Sequence, residues 1–199
     1  MGVRVFEDFT EPETRLEASA GSGPYQVVDG AGGLVEMEAA SGGDFCQLYT
    51  RHLFQVKHLP VVVARLRTTQ IGGDQEVFLG LFYGPSAANP TDALGFWRSD
   101  GADSVGTWKC RARAMASGYD AETGILGDDQ EVELALVVAP LAVQFLVNGR
   151  VVHVETEQNF IPDGGLTGHL RLGVYLGRVS GAGGSRTLEV DYLGVWSGR

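Results

Sequence analysis

The residues best equipped for chemistry in this sequence are cationic and aromatic rather than nucleophilic. Lys109, Arg111 and Arg113 occupy alternate positions of Thr107–Ala114, so an extended chain puts them on one face and Trp108, Cys110, Ala112 and Ala114 on the other. Trp97 and Arg98 end the run Leu94–Arg98. Tyr175 faces outward with Arg171 in a stretch whose Leu170, Leu172, Val174 and Leu176 turn inward. A surface of Trp97, Arg98, Lys109, Arg111, Arg113 and Tyr175, with Arg65 and Arg67 alongside, offers ring faces and planar polar groups of the kind that bind sugars. Its charge suits an anionic glycan or an acidic protein partner. The competing reading pairs these cations with Glu131, Glu133 and Glu189 as ordinary mixed-charge strand faces.

Other chemistries have less to stand on. His52, His58, His153 and His169 are scattered without ligand spacing, and no Ser-His-Asp or Cys-His order emerges. Cys46 and Cys110 lie far apart and outside any CxxC or Cys/His cluster, which argues against a zinc site; they read as buried free thiols. The glycines of Gly181–Ser185 lack the strand-then-helix context of a phosphate loop.

Strands must position these residues. Glu131–Glu155 alternates apolar and polar residues and turns at Asn148-Gly149, a pair that tolerates the positive φ of a tight hairpin. Its face of Val143, Phe145 and Val147 requires a second layer. Val61–Thr68 places Val62, Ala64 and Leu66 opposite Val61, Val63, Arg65 and Arg67, and Glu76–Tyr83 is apolar enough for a central strand buried on both faces. Phe45–Tyr49 and Leu53–Val56 read as two strands broken at Arg51-His52, and Gly84–Asp92 as a polar loop at an edge. Tyr119–Gly127 reads as a loop. In Thr187–Trp196, Leu188, Val190, Tyr192 and Trp196 alternate against Glu189, Asp191 and Val195. Glycine-rich turns at short intervals and the lack of any helical period predict one all-β domain over residues 1–199, a two-sheet antiparallel jelly-roll sandwich.

The formal charge of −10 over 199 residues argues against nucleic acid and against an anionic membrane surface. No segment approaches the roughly 18 apolar residues of a membrane span, and MGVRVFEDFT lacks the apolar core of a signal peptide.

The Phe-Glu-Asp-Phe opening, Gly-Gly-Leu-Val, EVFLGLFYG, VQFLVNGRVVHVE with its Ile-Pro turn, and the closing LEVDYLGVW together resemble the concanavalin A-like lectin/glucanase superfamily. GTWKCRARAMASGYDAETGI is similar to modules of that superfamily in tailed-bacteriophage virion proteins. The resemblance implies a catalytic E-x-D-x-x-E in glucanases, which is absent here. Glu131/Glu133 and Glu189/Asp191 are the nearest carboxylate pairs, and i, i+2 spacing alone does not forbid retaining chemistry. It also implies a structural calcium held by Asp191 with backbone carbonyls near Glu7 and Gly32. The expectation that follows is a non-catalytic virion structural or decoration protein on a phage capsid or tail. Its partners would be other virion subunits or copies of itself, with glycan adhesion as an added role. A free lectin-like module is the alternative and a glycoside hydrolase the lesser one.

Overall fold

The computed structural model describes residues 3–9, 16–20, 24–29, 33–68, 74–101, 106–127, 129–162, 169–179 and 184–198. The turn at Gly181–Ser185 and the carbonyl of Gly32 fall wholly or partly outside them. The described residues form fifteen antiparallel strands in two sheets and no α-helix. Sheet A contains β1 (Val3–Glu7), β3 (Tyr25–Asp29), β4 (Leu34–Ala39), β6 (Val61–Thr68), β11 (Val132–Ala139), β12 (Ala142–Val147), β13 (Arg150–Glu155) and β15 (Arg186–Ser197). Its order is β13-β12-β11-β6-β15-β4-β3, with β1 pairing the second half of β15. Sheet B contains β2 (Glu17–Ala20), β5 (Phe45–Gln55), β7 (Gln75–Tyr83), β8 (Asp92–Ser99), β9 (Thr107–Ala114), β10 (Ser117–Leu126) and β14 (His169–Arg178), in the order β10-β9-β8-β7-β14-β5-β2. This is the jelly-roll sandwich that the sequence predicts.

The core follows from period-two alternation. Val62, Ala64 and Leu66 of β6, Leu134 and Leu136 of β11, and Val143, Phe145 and Val147 of β12 point inward from sheet A. Val77, Leu79 and Leu81 of β7, Leu94 and Phe96 of β8, and Leu170, Leu172, Val174 and Leu176 of β14 meet them from sheet B. Phe96 packs edge-on against Phe145, ring centroids 5.6 Å apart, which couples the two layers. Asn148 and Gly149 adopt φ of 50° and 74°, the positive pair a tight hairpin turn demands. Cys46 and Cys110 are both buried and unpaired.

Three local expectations change. Tyr119–Gly127 is largely the edge strand β10 rather than a loop, because Met115 and Ala116, at φ of 52° and 61°, make a tight turn without glycine or asparagine. Phe45–Gln55 is one strand: Arg171 pairs Leu53 while Gly173 pairs Tyr49, so a bulge absorbs Thr50–His52. A bulge between Val190 and Tyr192 inserts Asp191 as an extra residue and reverses the alternation beyond it. Leu193 and Val195 therefore enter the core, while Tyr192 and Trp196 turn outward and both pack on Phe6.

Candidate functional site

Sheet B is apolar on both faces. Beyond the core side, Phe78, Phe82, Ala93, Trp97 and Tyr175 form a second cluster on its outer face, with Phe45 and Tyr49 packed beside them. Strand register sets the arrangement. Gln47, Tyr175, Phe78, Trp97, Lys109 and Glu122 lie in one line across β5, β14, β7, β8, β9 and β10. The adjacent line is Tyr49, Gly173, Gly80, Gly95, Arg111 and Asp120. The glycines let rings lie flat on the sheet: a Cβ at Gly173 would sit 2.5 Å from the Phe82 ring, and one at Gly95 3.0 Å from the Phe78 ring. The line on the far side of the aromatic one holds Phe45, Gly177, Glu76 and Ser99.

The polar groups of this face are mutually engaged. Arg111 lies 4.1 Å from the centroid of Trp97 and makes a two-pronged contact with Asp120, 2.7 Å at each nitrogen. Lys109 reaches Glu122 at 2.8 Å, and Thr107 also donates to Glu122. These hydrogen bonds, that of Lys109 first, hold the Glu122 carboxyl below its ordinary range. Glu76 behaves in the opposite way, because burial raises its carboxyl while the charge of Arg111 offsets part of the rise. Tyr175 is pushed up to about 12 by burial and then by the charge of Glu76. Among the described carboxylates of this face, Glu76 is the one with no Arg or Lys at ion-pair distance.

The segment 84–91 folds onto the cluster as a partial roof. Ala87 is fully buried among the rings, and its N–H donates to Gln47 Oε1 at 2.8 Å. Trp97 and Tyr175 are each 7% exposed and Arg111 5%, so roof and arginine cover the rings at this end. Glu76, Phe45 and Lys109 remain partly open at the other. The edge loop expected from the sequence is thus part of the site.

Of the residues singled out in the sequence, Trp97, Lys109, Arg111, Arg113 and Tyr175 share this face. Lys109 and Arg111 are neutralised by Glu122 and Asp120, so the expected basic stripe is ion-paired; Arg113 alone of the three has no ion-pair partner among the described residues. Arg98 does not join them. As the neighbour of Trp97 on a strand it points the other way, and it lies 1% exposed between the sheets, 5.3 Å from the centroid of Trp108. Arg65 and Arg67 stand on the outer face of sheet A. Arg65 lies 3.5 Å from Glu131 and Asp191 and 4.0 Å from Glu133, and Arg67 lies 2.5 Å from Glu189. A cleft of about 350 Å³ opens there, and its charged lining residues are paired with one another. The carboxylates Glu131, Glu133, Glu189 and Asp191 are therefore ion-pair partners of arginines.

Of the groups the resemblance implies for calcium, Asp191 and Glu7 lie among the described residues and the Gly32 carbonyl lies outside them. Asp191 Oδ2 faces the partly exposed Arg65 guanidinium at 3.5 Å. Glu7 is 5% exposed and accepts the Phe9 N–H at 3.3 Å. No group of three His, Cys, Asp or Glu side chains is close enough to hold a metal among the described residues. The sequence reading passed over Glu76, Phe78, Asp120 and Glu122. Glu76 had a usable signal: with Phe78 and Phe82 it occupies alternate positions of one run, on the face opposite Val77, Leu79 and Leu81.

No protein family and no curated protein matches the sequence. Solved structures do match the fold over almost the whole chain. A β-glucanase of Bacillus licheniformis superposes with a TM-score of 0.71 at 12% identity, covering 98% of each chain. A β-1,3-glucanase of Mycobacterium marinum gives 0.72 at 9% identity, over 96% of this chain and 97% of its own. The carbohydrate recognition domain of Emp47p gives 0.67 at 10% identity, over 98% and 95%. The fold is that of the concanavalin A-like lectins and glucanases.

These likenesses correct the functional expectation. Among the proteins that share the fold over nearly the whole chain are glycoside hydrolases, a transglycosylase and carbohydrate recognition domains, and these do not support a non-catalytic bacteriophage particle component, a virion location or virion partners. The expectation of a protein without enzymatic activity falls with it: this architecture carries glycoside chemistry in several neighbours, and the missing E-x-D-x-x-E cannot decide the matter while Glu76 stands on the aromatic face. No helix among the described residues is long and apolar enough to cross a membrane.

Proposed function

We propose that this protein recognises carbohydrate on the outer face of sheet B, with β-linked glucans as the first ligand class. The observation that carries this reading is the aromatic cluster on the outside of the sheet. A sheet face that meets only water is polar, whereas this one carries an aromatic cluster of which Phe45 and Tyr49 stay partly open while Phe78, Phe82, Trp97 and Tyr175 are buried. Sugar rings offer C–H faces to such rings and hydroxyls to planar polar groups at their margin, here Glu76, Lys109 and Arg111. The glucanases and the carbohydrate recognition domain of the same fold support the choice of ligand. Since residues 84–91 roof one end, the glycan enters from the end marked by Glu76, Phe45 and Lys109.

A second reading is favoured by Glu76 itself. A carboxyl raised by burial holds its proton closer to neutral pH and can donate it to a glycosidic oxygen. Affinity electrophoresis in gels containing β-1,3-glucan or mixed-linkage β-1,3-1,4-glucan, with a reducing-end assay on the same polymers, tests both readings. Retarded migration that weakens at least tenfold in Trp97→Ala supports recognition on this face. Reducing-end release that Glu76→Gln abolishes while retardation persists supports general-acid chemistry. No retardation on β-glucans or on a panel of neutral and anionic polysaccharides overturns the proposal.

A further inference from the structure

At one flank of the sandwich the edge strands of the two sheets, β10 and β13, pack against each other. Three side chains converge there that neither the core nor the sheet-B face employs. Tyr119 Oη of β10 lies 3.4 Å from His153 Nε2 of β13, and His153 Nε2 lies 3.8 Å from Glu155 Oε2. Glu155 is 2% exposed. Its Oε1 accepts the Glu157 N–H at 2.7 Å, but Oε2 has no partner in hydrogen-bonding geometry. An orphaned carboxylate oxygen away from water is costly, and a bound ion is one of the few ways to compensate it. Hydrogen bonding to Glu155, which places the phenol at the same carboxylate, is first among the causes that push the Tyr119 hydroxyl up to about 12, followed by burial. Aromatic packing holds the donors: Tyr119 is edge-on to Phe160 at 5.3 Å, and the His153 ring lies 5.7 Å from Phe145.

We propose that Tyr119 Oη, His153 Nε2 and Glu155 Oε2 form a site for a divalent transition metal of the zinc class, bridging the free edges of the two sheets. Zinc bonds to nitrogen and oxygen of about 2.0–2.2 Å at tetrahedral angles separate neighbouring ligands by about 3.3–3.6 Å. The 3.4 and 3.8 Å spacings match that geometry after a closure of a few tenths of an ångström. Solvent takes the fourth position. Three donors, one of them a nitrogen, do not suit calcium, which takes six to eight oxygens. Binding requires neutral imidazole and releases the phenol proton to solvent as Tyr119 ligates. The metal would also stiffen β10, whose Asp120 and Glu122 hold Arg111 and Lys109 of the adjacent strand on the outer face of sheet B.

Zinc chloride titrated into the full chain at pH 7.5 tests the site, followed by thermal unfolding, with cobalt(II) as a spectroscopic substitute. At metal near 100 times Kd the midpoint should rise by about 5–10 °C. Cobalt should give the visible bands of a tetrahedral ion, and binding should produce tyrosinate absorbance near 295 nm. His153→Gln and Glu155→Gln should abolish the rise and the cobalt bands, and Tyr119→Phe should remove the tyrosinate signal and weaken binding at least tenfold. Calcium should shift nothing. The proposal is overturned if the wild-type midpoint is insensitive to zinc. It is equally overturned if His153→Gln, folded as judged by its metal-free midpoint, keeps the full rise, since the metal would then sit on another histidine.

Discussion

Asp100→Asn should be among the most damaging single-atom changes available to this protein. Asp100 and Arg98 are 4% and 1% exposed. Asp100 Oδ1 faces Arg98 Nε at 3.0 Å and the Gly106 N–H at 2.7 Å; Oδ2 faces an Arg98 terminal nitrogen at 3.1 Å and Gln75 Nε2 at 2.6 Å. Oδ2 thus accepts from two donors and Oδ1 from one, with the charged Arg98 Nε beside it, so an asparagine must turn its NH₂ group toward at least one N–H group whichever way it flips. The change also removes the carboxylate charge that faces the Arg98 guanidinium, which is further bonded to Thr68 Oγ1 and the Gly127 carbonyl. Removing one member of a buried ion pair typically costs about 3–5 kcal/mol, which in a chain of this size lowers the melting midpoint by about 6–20 °C. Arg98 is the neighbour of Trp97, so the same clamp holds β8 from behind and fixes where Trp97 meets Arg111. Far-UV circular dichroism melts at pH 7, with urea titrations to check that the slope is unchanged, supply the measurement. A loss below about 1 kcal/mol would refute the reasoning and mean that water reaches the clamp.

Two more outcomes can be checked on the same material. Because the folded-state pKa of Glu76 is raised, the native protein binds its proton more tightly than the unfolded chain, and stability from this group is present at low pH and lost as pH rises through the folded value. Glu76→Gln should therefore melt higher than wild type at pH 7 to 8 and converge with it near pH 4; equal midpoints throughout would show that Glu76 is fully hydrated. Burial pushes the thiols of Cys46 and Cys110 up to about 12, so a disulfide reagent at pH 8 should modify both only at the rate of unfolding. Rapid labelling of the native protein would contradict their placement in the core.

Much of the fold was legible because it depends on local rules. The Asn148-Gly149 hairpin follows from the positive φ those two residues accept, and the faces of β6, β9 and β14 follow from alternation alone. The errors arose where local signals were silent. Met115 and Ala116 form a hairpin turn without the usual residues, so no local signal marks β10 as a strand or Asp120 and Glu122 as the partners of Arg111 and Lys109. The bulge at Asp191 exchanged the faces of Tyr192 and Val195, which no count by twos anticipates. Alternation separates Arg98 from Trp97, since adjacent strand residues point to opposite faces.

Residue order by itself determined that the chain must be a two-layer β-sandwich and which side of most strands is apolar, since both depend on the pattern of neighbours a few residues apart. Which strands become neighbours depends on long-range pairing, and only the tertiary structure decided that. Pairing set Arg65 and Arg67 among the carboxylates of sheet A, away from Trp97, and drew Glu76, Arg111 and Tyr175 onto one aromatic face of sheet B. It also brought Tyr119 to His153 and Glu155 across the seam between sheets, a set of donors with no ligand spacing in the sequence because its members belong to the edges of different layers.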